Sequence, residues 1–212
     1  MIIYRSFAPE DIPALAEIVG ETWNFRRMCR RGEDPAVMAL DYLKGCLAES
    51  TAAFVAEEDG KAAGLISVRA EKKTLPRLFL SEKREEADGA SPSSESSGVR
   101  RMREYEARCL GLRRQAEEAG MKFDGELTLF AVRPKMRGRG AGRELYRRAL
   151  DYLKEEGCRR FFLYTDSSCT YQFYDARGLA CLGRTAMPPA DGSSREIQIC
   201  CNSNRISFPF LL

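Results

Sequence analysis

The sequence of 212 residues contains no histidine. This absence excludes a Ser-His-Asp triad, a Cys-His pair and every histidine-ligated metal site. Any proton that moves during a reaction must therefore be carried by Glu, Asp, Tyr, Cys, Lys or the substrate itself.

Paired metal-binding cysteines and long apolar runs are also missing. None of the 8 cysteines belongs to a C-x-x-C pair, so we expect buried free thiols and no metal site. No stretch approaches the ~20 apolar residues of a membrane span. Residues Met1–Ser6 lack the apolar core of a signal peptide. These absences predict a cytoplasmic protein that does not enter a membrane.

The charge balance is nearly even, with a net charge of +3, and a hydrophobic content of 44% is enough for a folded core. One segment, residues 99–119, contains six arginines, but four glutamates are interspersed among them. This mixture favours a solvated helix face with local ion pairs. We therefore expect no nucleic-acid partner, and an RNA-binding surface on this segment is the weaker alternative.

The pattern of apolar residues predicts one α/β domain over residues 1–212. Residues 81–98 are rich in Ser, Glu, Lys, Gly and Pro, which predicts a flexible loop. Residues 99–119 have helical spacing, and together with the loop they look like an insertion between two core strands. The main strands are expected at residues 2–7, 52–57, 62–68, 126–132, 160–164, 179–186 and 196–201.

The most informative feature is a glycine-rich loop, Arg137–Gly142, which stands between a predicted strand and a predicted helix. Glycines let the backbone approach a bulky ligand, and the start of a helix supplies unpaired N–H donors and a positive dipole end. Together they predict a pocket for phosphate groups, and hence a phosphorylated cofactor.

Three known loop types fit this segment poorly or without specificity. A P-loop requires Lys followed by Ser or Thr, and no such pair follows Gly142. The dinucleotide fingerprint requires a third glycine where this chain has Arg143. A plain glycine-containing turn remains an alternative.

The loop and the strand before it resemble motif A of the GNAT N-acetyltransferase superfamily. The strand ends in Ala131-Val132-Arg133-Pro134, and Arg137–Gly142 follows as R-x-x-G-x-G/A. A second GNAT motif is similar to the strand Arg160–Asp166 and the helical segment Tyr171–Leu179. The family often has Asn before the Phe-Tyr pair and Gly-Phe after it, whereas this chain has Thr170 or Ser167 and Gly178-Leu179.

This resemblance implies a single α+β domain with a mixed, mostly antiparallel sheet flanked by helices. It also implies that the fourth and fifth strands splay apart and receive the pantetheine arm of acetyl-CoA, while the glycine loop holds the diphosphate. The cofactor-binding residues implied in this way are Phe130, Ala131, Val132, Arg137, Gly138, Arg139, Gly140, Ala141, Gly142 and Arg143.

The resemblance further assigns Tyr174 as the general acid that reprotonates the CoA thiolate; the alternative is a tyrosine that only packs. Glu126 could be the base that deprotonates the acceptor amine, or merely a carboxylate at a strand edge. Ordered water can also remove that proton without a dedicated base. Cys169 lies near the expected thiol, but an acetyl-cysteine intermediate is not expected because no base is visible beside it.

The implied activity is acetyl transfer to a primary amine of a small molecule or peptide, by direct attack. The competing hypothesis is a non-catalytic module that binds acyl-CoA for regulation. The acceptor pocket is expected around residues 23–26, and the inserted helix could form a lid or a homodimer contact.

Overall fold

Seven strands form one sheet in the computed structural model, which describes residues 1–27, 29, 32–72, 97–187 and 195–202. The strands are β1 (Ile2–Ser6), β2 (Ala52–Glu58), β3 (Lys61–Ala70), β4 (Gly125–Val132), β5 (Phe161–Asp166), β6 (Leu179–Met187) and β7 (Arg195–Asn202). Their order across the sheet is β1-β2-β3-β4-β5-β7-β6.

Five α-helices and three short 3-10 turns accompany the sheet in the described part of the chain. The helices are α1 (Ile12–Trp23), α2 (Pro35–Glu49), α3 (Ser97–Glu118), α4 (Ala141–Glu155) and α5 (Gln172–Asp175), and the turns are Pro9–Asp11, Phe25–Arg27 and Pro134–Met136. Helix α3 begins two residues before the expected position 99, so Ser97 and Gly98 are helical. The rest of the expected loop, residues 81–96, lies outside the described residues.

Every strand pairs antiparallel with its neighbours except β4 and β5, which are parallel. The expected mixed, mostly antiparallel sheet in a single α+β domain is therefore confirmed. The β4–β5 ladder has only three pairs and ends where Leu127 faces Leu163. Beyond that pair β4 continues for five residues and β5 for three, and the two strands diverge.

Apolar side chains on the two faces of the sheet form the core. On one face α4 packs with Leu145 and Leu153, and on the other α1 and α2 pack with residues such as Leu15 and Leu43. Helix α3 covers β6 and β7, and its Cys109 and Leu112 pack in one cluster with Phe162 of β5. The helices thus cover the sheet around the divergent strands without closing the gap.

A β-bulge interrupts the pairing of β3 with β4 beside this gap. Val68 pairs with Leu127 and Ser67 pairs with Leu129, so Thr128 is the extra residue. As a result, Leu127 packs on the α4 side while Leu129 packs on the α1–α2 side, although they are two residues apart. The bulge therefore re-aims the side chains of β4 at the point where it separates from β5.

No helix among the described residues is long and apolar enough to cross a bilayer.

Candidate active site

A cavity of about 520 Å³ occupies the gap between β4 and β5. The glycine loop and the start of α4 border it at one end, and aromatic side chains border it at the other. Its described lining residues are Thr22, Trp23, Tyr42, Tyr105, Leu127, Thr128, Leu129, Phe130, Ala131, Val132, Arg137, Gly138, Gly140, Gly142, Arg143, Tyr164, Thr165, Ser168, Cys169, Thr170, Phe173 and Tyr174.

The glycine loop has the backbone of an anion site. Gly138 and Gly140 have φ of 75° and 85°, in the left-handed region where a β-carbon is strained. Gly140 is the N-cap of α4, and no side chain caps that helix. The first N–H groups of a helix have no intrahelical acceptor and carry a partial positive charge. This end of the cavity is therefore built to receive an anion such as a diphosphate.

The three arginines near the loop are placed differently. Arg137 and Arg143 line the cavity. The Arg139 guanidinium instead lies 2.7 Å from the Glu58 carboxylate and does not line the cavity. Ala141 is fully buried in the core under α4. The structure thus brings two of the three cations to the cavity, while Arg139 ties the loop to β2.

Phe130, Ala131 and Val132 line the long side of the cavity. This stretch of β4 pairs with β3 on one edge, but its other edge faces the gap, because the ladder to β5 has already ended. Backbone N–H and C=O groups on such an edge need partners, and an extended ligand can supply them. The gap therefore fits a ligand with an amide-containing extended arm attached to a diphosphate.

Tyr174 lines the cavity on α5, beside Cys169. Burial raises the pKa of the Tyr174 phenol far above its usual value, with smaller contributions from Cys169 and Tyr146. The phenol consequently keeps its proton at neutral pH. The neighbouring Phe173 ring packs edge-on against Phe130, with centroids 5.4 Å apart, and this contact fixes α5 against β4.

Cys169 lines the same part of the cavity, and burial raises the pKa of its thiol to about 11. Nearby Asp166 disfavours the thiolate further. A thiol that stays protonated is a poor nucleophile. This environment agrees with the expectation that acetyl transfer does not pass through Cys169.

Glu126 lies at the start of β4 and is absent from the described lining of the cavity. Its carboxylate forms an ion pair with Arg69, which also contacts Glu49 at 2.6 Å and Glu71 at 3.4 Å. Because three carboxylates share this guanidinium and the Glu126 side chain is only 13% exposed, burial outweighs the cation and raises the pKa of Glu126 to about 7. Burial raises the pKa of Tyr164, a lining residue, and the nearby Glu126 charge raises it further.

The far end of the cavity is aromatic. Trp23 lines it as expected, and Phe25 lines a small adjoining pocket, whereas Asn24 and Arg26 line neither. Tyr42 of α2 and Tyr105 of α3 also line both spaces, which was not predicted from the sequence. The Trp23 and Tyr42 rings pack edge-on with centroids 5.5 Å apart. Trp23, Tyr42 and Tyr105 each belong to the apolar face of a different helix, and only the fold brings these three helices together.

Within the described ranges, no group of three or more Cys, Asp or Glu residues is arranged to hold a metal ion.

The chain belongs to the acetyltransferase (GNAT) family, whose pattern it matches over residues 14–178. That range contains the glycine loop, both divergent strands and Tyr174. The structure shows the same fold class, and the resemblance inferred from the two motifs is confirmed. Among curated proteins, the sequence matches none.

Solved structures with this fold include three that cover nearly the whole chain. The N-acetyltransferase from Staphylococcus aureus Mu50 has a TM-score of 0.57 and 12% identity, with 98% of this chain and 99% of that chain covered. The ribosomal-protein-S18-alanine N-acetyltransferase from Escherichia coli has a TM-score of 0.55 and 16% identity, with 99% of this chain and 96% of that chain covered. The yncA protein of Salmonella typhimurium, solved with its cofactor acetyl-CoA, has a TM-score of 0.54 and 14% identity, with 99% of this chain and 96% of that chain covered. At these identities the likeness establishes the fold alone.

The raised pKa of Glu126 makes a prediction about stability and pH. Between the ordinary value of 4.5 and about 7, the unfolded chain has lost this proton while the folded chain retains it. As the pH rises across this window, the free energy of unfolding should therefore fall by up to about 1.4 kcal/mol per pH unit. Glu126→Gln should flatten this dependence of the unfolding free energy on pH. Urea unfolding at several pH values measures it. Equal slopes for Glu126→Gln and the wild-type protein would contradict this assignment.

Proposed function

We propose that the protein transfers the acetyl group of acetyl-CoA to the nitrogen of a primary amine by direct attack. The observation that carries this proposal is the divergence of β4 from β5 beside an uncapped helix N-terminus and two arginines. That arrangement suits a diphosphate joined to an extended amide arm, which is the form of CoA. Family membership and the fold shared with a structure containing acetyl-CoA support the same choice.

In this proposal the N–H groups of the glycine loop and of the first turn of α4 hold the diphosphate, and Arg137 and Arg143 add positive charge. The edge of β4 at Phe130, Ala131 and Val132 pairs with the pantetheine amides. Arg139 contributes to binding indirectly, because its ion pair with Glu58 holds the loop. The thioester then lies near the narrow end of the gap, where Leu127 faces Leu163.

The reaction forms one bond and breaks another. The neutral amine nitrogen attacks the thioester carbon, the carbon–sulfur bond breaks, and the sulfur leaves as a thiolate. Tyr174 donates its phenolic proton to the thiolate as it forms, because burial keeps the phenol protonated and also disfavours a bare thiolate in the same cavity, and the phenol regains a proton from solvent after CoA leaves. The amine proton departs through water to Glu126, whose pKa of about 7 suits a base at neutral pH.

A non-catalytic module that binds acyl-CoA remains the second candidate, because the same cleft would serve it. The buried phenol of Tyr174 at the narrow end of the gap favours the enzyme, since binding alone requires no proton donor there. The acceptor is proposed to be an amine of a small molecule or of a peptide; the S18-alanine enzyme with this fold modifies a protein. A cytoplasmic location is part of the same proposal.

Coenzyme binding can be tested at Gly142. A β-carbon there would lie 3.5 Å from Phe130 and 3.9 Å from Phe173, which is ordinary contact, so Gly142→Ala should fold normally. The added methyl group would occupy the place where the backbone approaches the diphosphate, and we expect CoA affinity to fall about tenfold or more. Gly111→Ala in α3, which has open space around it, is the matched control.

The measurement is a thermal-shift titration. At ~100 times its dissociation constant, CoA should add about 2.7 kcal/mol to the stability of the wild-type protein and of Gly111→Ala. No shift with CoA or acetyl-CoA in the wild-type protein would refute both candidate functions.

The acid role of Tyr174 makes a separate prediction. Tyr174→Phe removes the phenolic proton but keeps the ring, so turnover should slow by roughly 10²–10⁴ while CoA affinity is unchanged. Tyr171→Phe, one turn earlier and outside the cavity lining, is the control and should retain full activity. Turnover is followed by release of the CoA thiol. If Tyr174→Phe were as active as the wild-type protein, Tyr174 would be a packing residue.

A further inference from the structure

Three hydroxyl groups form a connected chain beside the narrow end of the gap. The Thr128 hydroxyl lies 2.7 Å from the Ser50 hydroxyl and 2.7 Å from the Ser67 hydroxyl. The Ser50 hydroxyl in turn donates to the backbone carbonyl of Cys46 at 2.6 Å. Ser50 and Ser67 are completely buried, whereas Thr128 is partly exposed and lines the cavity.

The fold produces this chain through the β-bulge. Thr128 has no partner on β3, and it is also the first residue of β4 beyond the last pair with β5. Ser50 follows the end of α2, and Ser67 is the β3 residue beside the bulge. The bulge therefore places one hydroxyl between two buried ones at the apex of the gap.

Counting protons determines which group donates at each step. A carbonyl has no proton, so the Ser50 proton must point to Cys46. Ser50 can then only accept from Thr128, and Thr128 can only accept from Ser67. Each hydroxyl has one proton, and all three are committed. Thr128 keeps one lone pair and no proton, so toward the cavity it is an acceptor only.

This polarity excludes two roles for Thr128. It cannot donate to the thioester oxygen without breaking its bond to Ser50. It cannot relay a proton away, because the chain ends at a carbonyl on one side, and on the other side the Ser67 hydroxyl has no hydrogen-bond partner other than Thr128 within the described residues. The Thr128 oxygen can instead accept a hydrogen bond from an N–H group of a ligand.

We propose that Thr128 binds the acceptor nitrogen: its hydroxyl oxygen accepts a hydrogen bond from the amine N–H and so turns the nitrogen lone pair toward the thioester carbon. This inference rests on the proposed function. A neutral primary amine has two N–H groups and one lone pair, so it can make this bond and still attack. Thr128 is therefore an acceptor-binding residue, and Ser50 and Ser67 act through it as positioning residues.

The walls around Thr128 suggest how to test this. Trp23, Tyr42, Tyr105 and Tyr164 surround the acceptor end of the cavity, and rings favour a flat apolar body and a nearby cation. Trp23 is also the only tryptophan in the chain, so its fluorescence reports occupancy of this end without any turnover. The probe we choose is 2-phenylethylamine.

The experiment titrates CoA-saturated protein with 2-phenylethylamine and follows Trp23 emission. Thr128→Val keeps the shape and removes the acceptor, so we expect the dissociation constant to rise about tenfold, the loss of one hydrogen bond. Thr128→Ser should restore it. Thr51→Val is the control for buried polarity: the Thr51 hydroxyl accepts from the Ala70 N–H at 2.9 Å outside the cavity lining, so this variant should lower the melting temperature but leave the dissociation constant unchanged.

Three results would overturn the proposal. They are a Thr128→Val variant that binds the amine as tightly as the wild-type protein, a Thr51→Val variant that weakens binding as much as Thr128→Val does, and a wild-type emission that does not respond to the amine at all. In each case the CoA thermal shift shows which claim fails. A retained shift means that only the role of Thr128 fails, and a missing shift means that the proposed function fails.

Discussion

The structure depends on one constraint, the early end of the parallel ladder between β4 and β5. Only three residue pairs join these strands, and the sheet continues on both sides of them. Backbone groups beyond Leu127 and Leu163 are thus left along a gap inside the sheet, where unpaired polar groups are costly. A ligand that offers amides can satisfy them, so the interruption that weakens the sheet is also what makes the site.

The elements that flank the gap give its two ends different chemistry. Helix α4 begins at the glycine loop and presents N–H groups, so that end suits an anion. Helices α1, α2 and α3 contribute Trp23, Tyr42 and Tyr105 at the other end, which suits an apolar body. Thr128 and Tyr174 lie between them, and in our proposal one receives the nitrogen while the other protonates the sulfur.

Features set by local sequence were predicted well, and features set by long-range contacts were not. The strand expected at residues 126–132 begins one residue earlier, at Gly125, and a helix follows the glycine loop as expected, because alternation, Pro134 and the glycines act locally. The partner of Glu126 is Arg69, 57 residues away, and the hydroxyl chain joins residues 61 and 78 positions apart. A bulge depends on cross-strand register, which no single segment encodes. Likewise, nothing near Arg139 shows that it pairs with Glu58 instead of facing the cavity.

The most direct measurement of the central claim is a crystal structure of the protein with bound CoA. We predict that the diphosphate lies on the N–H groups from Arg137 to Arg143, that the pantetheine arm runs along the free edge of β4, and that the thiol ends near Thr128 and Tyr174. A diphosphate bound elsewhere, or a gap filled by the protein's own side chains while CoA is bound at another place, would contradict it.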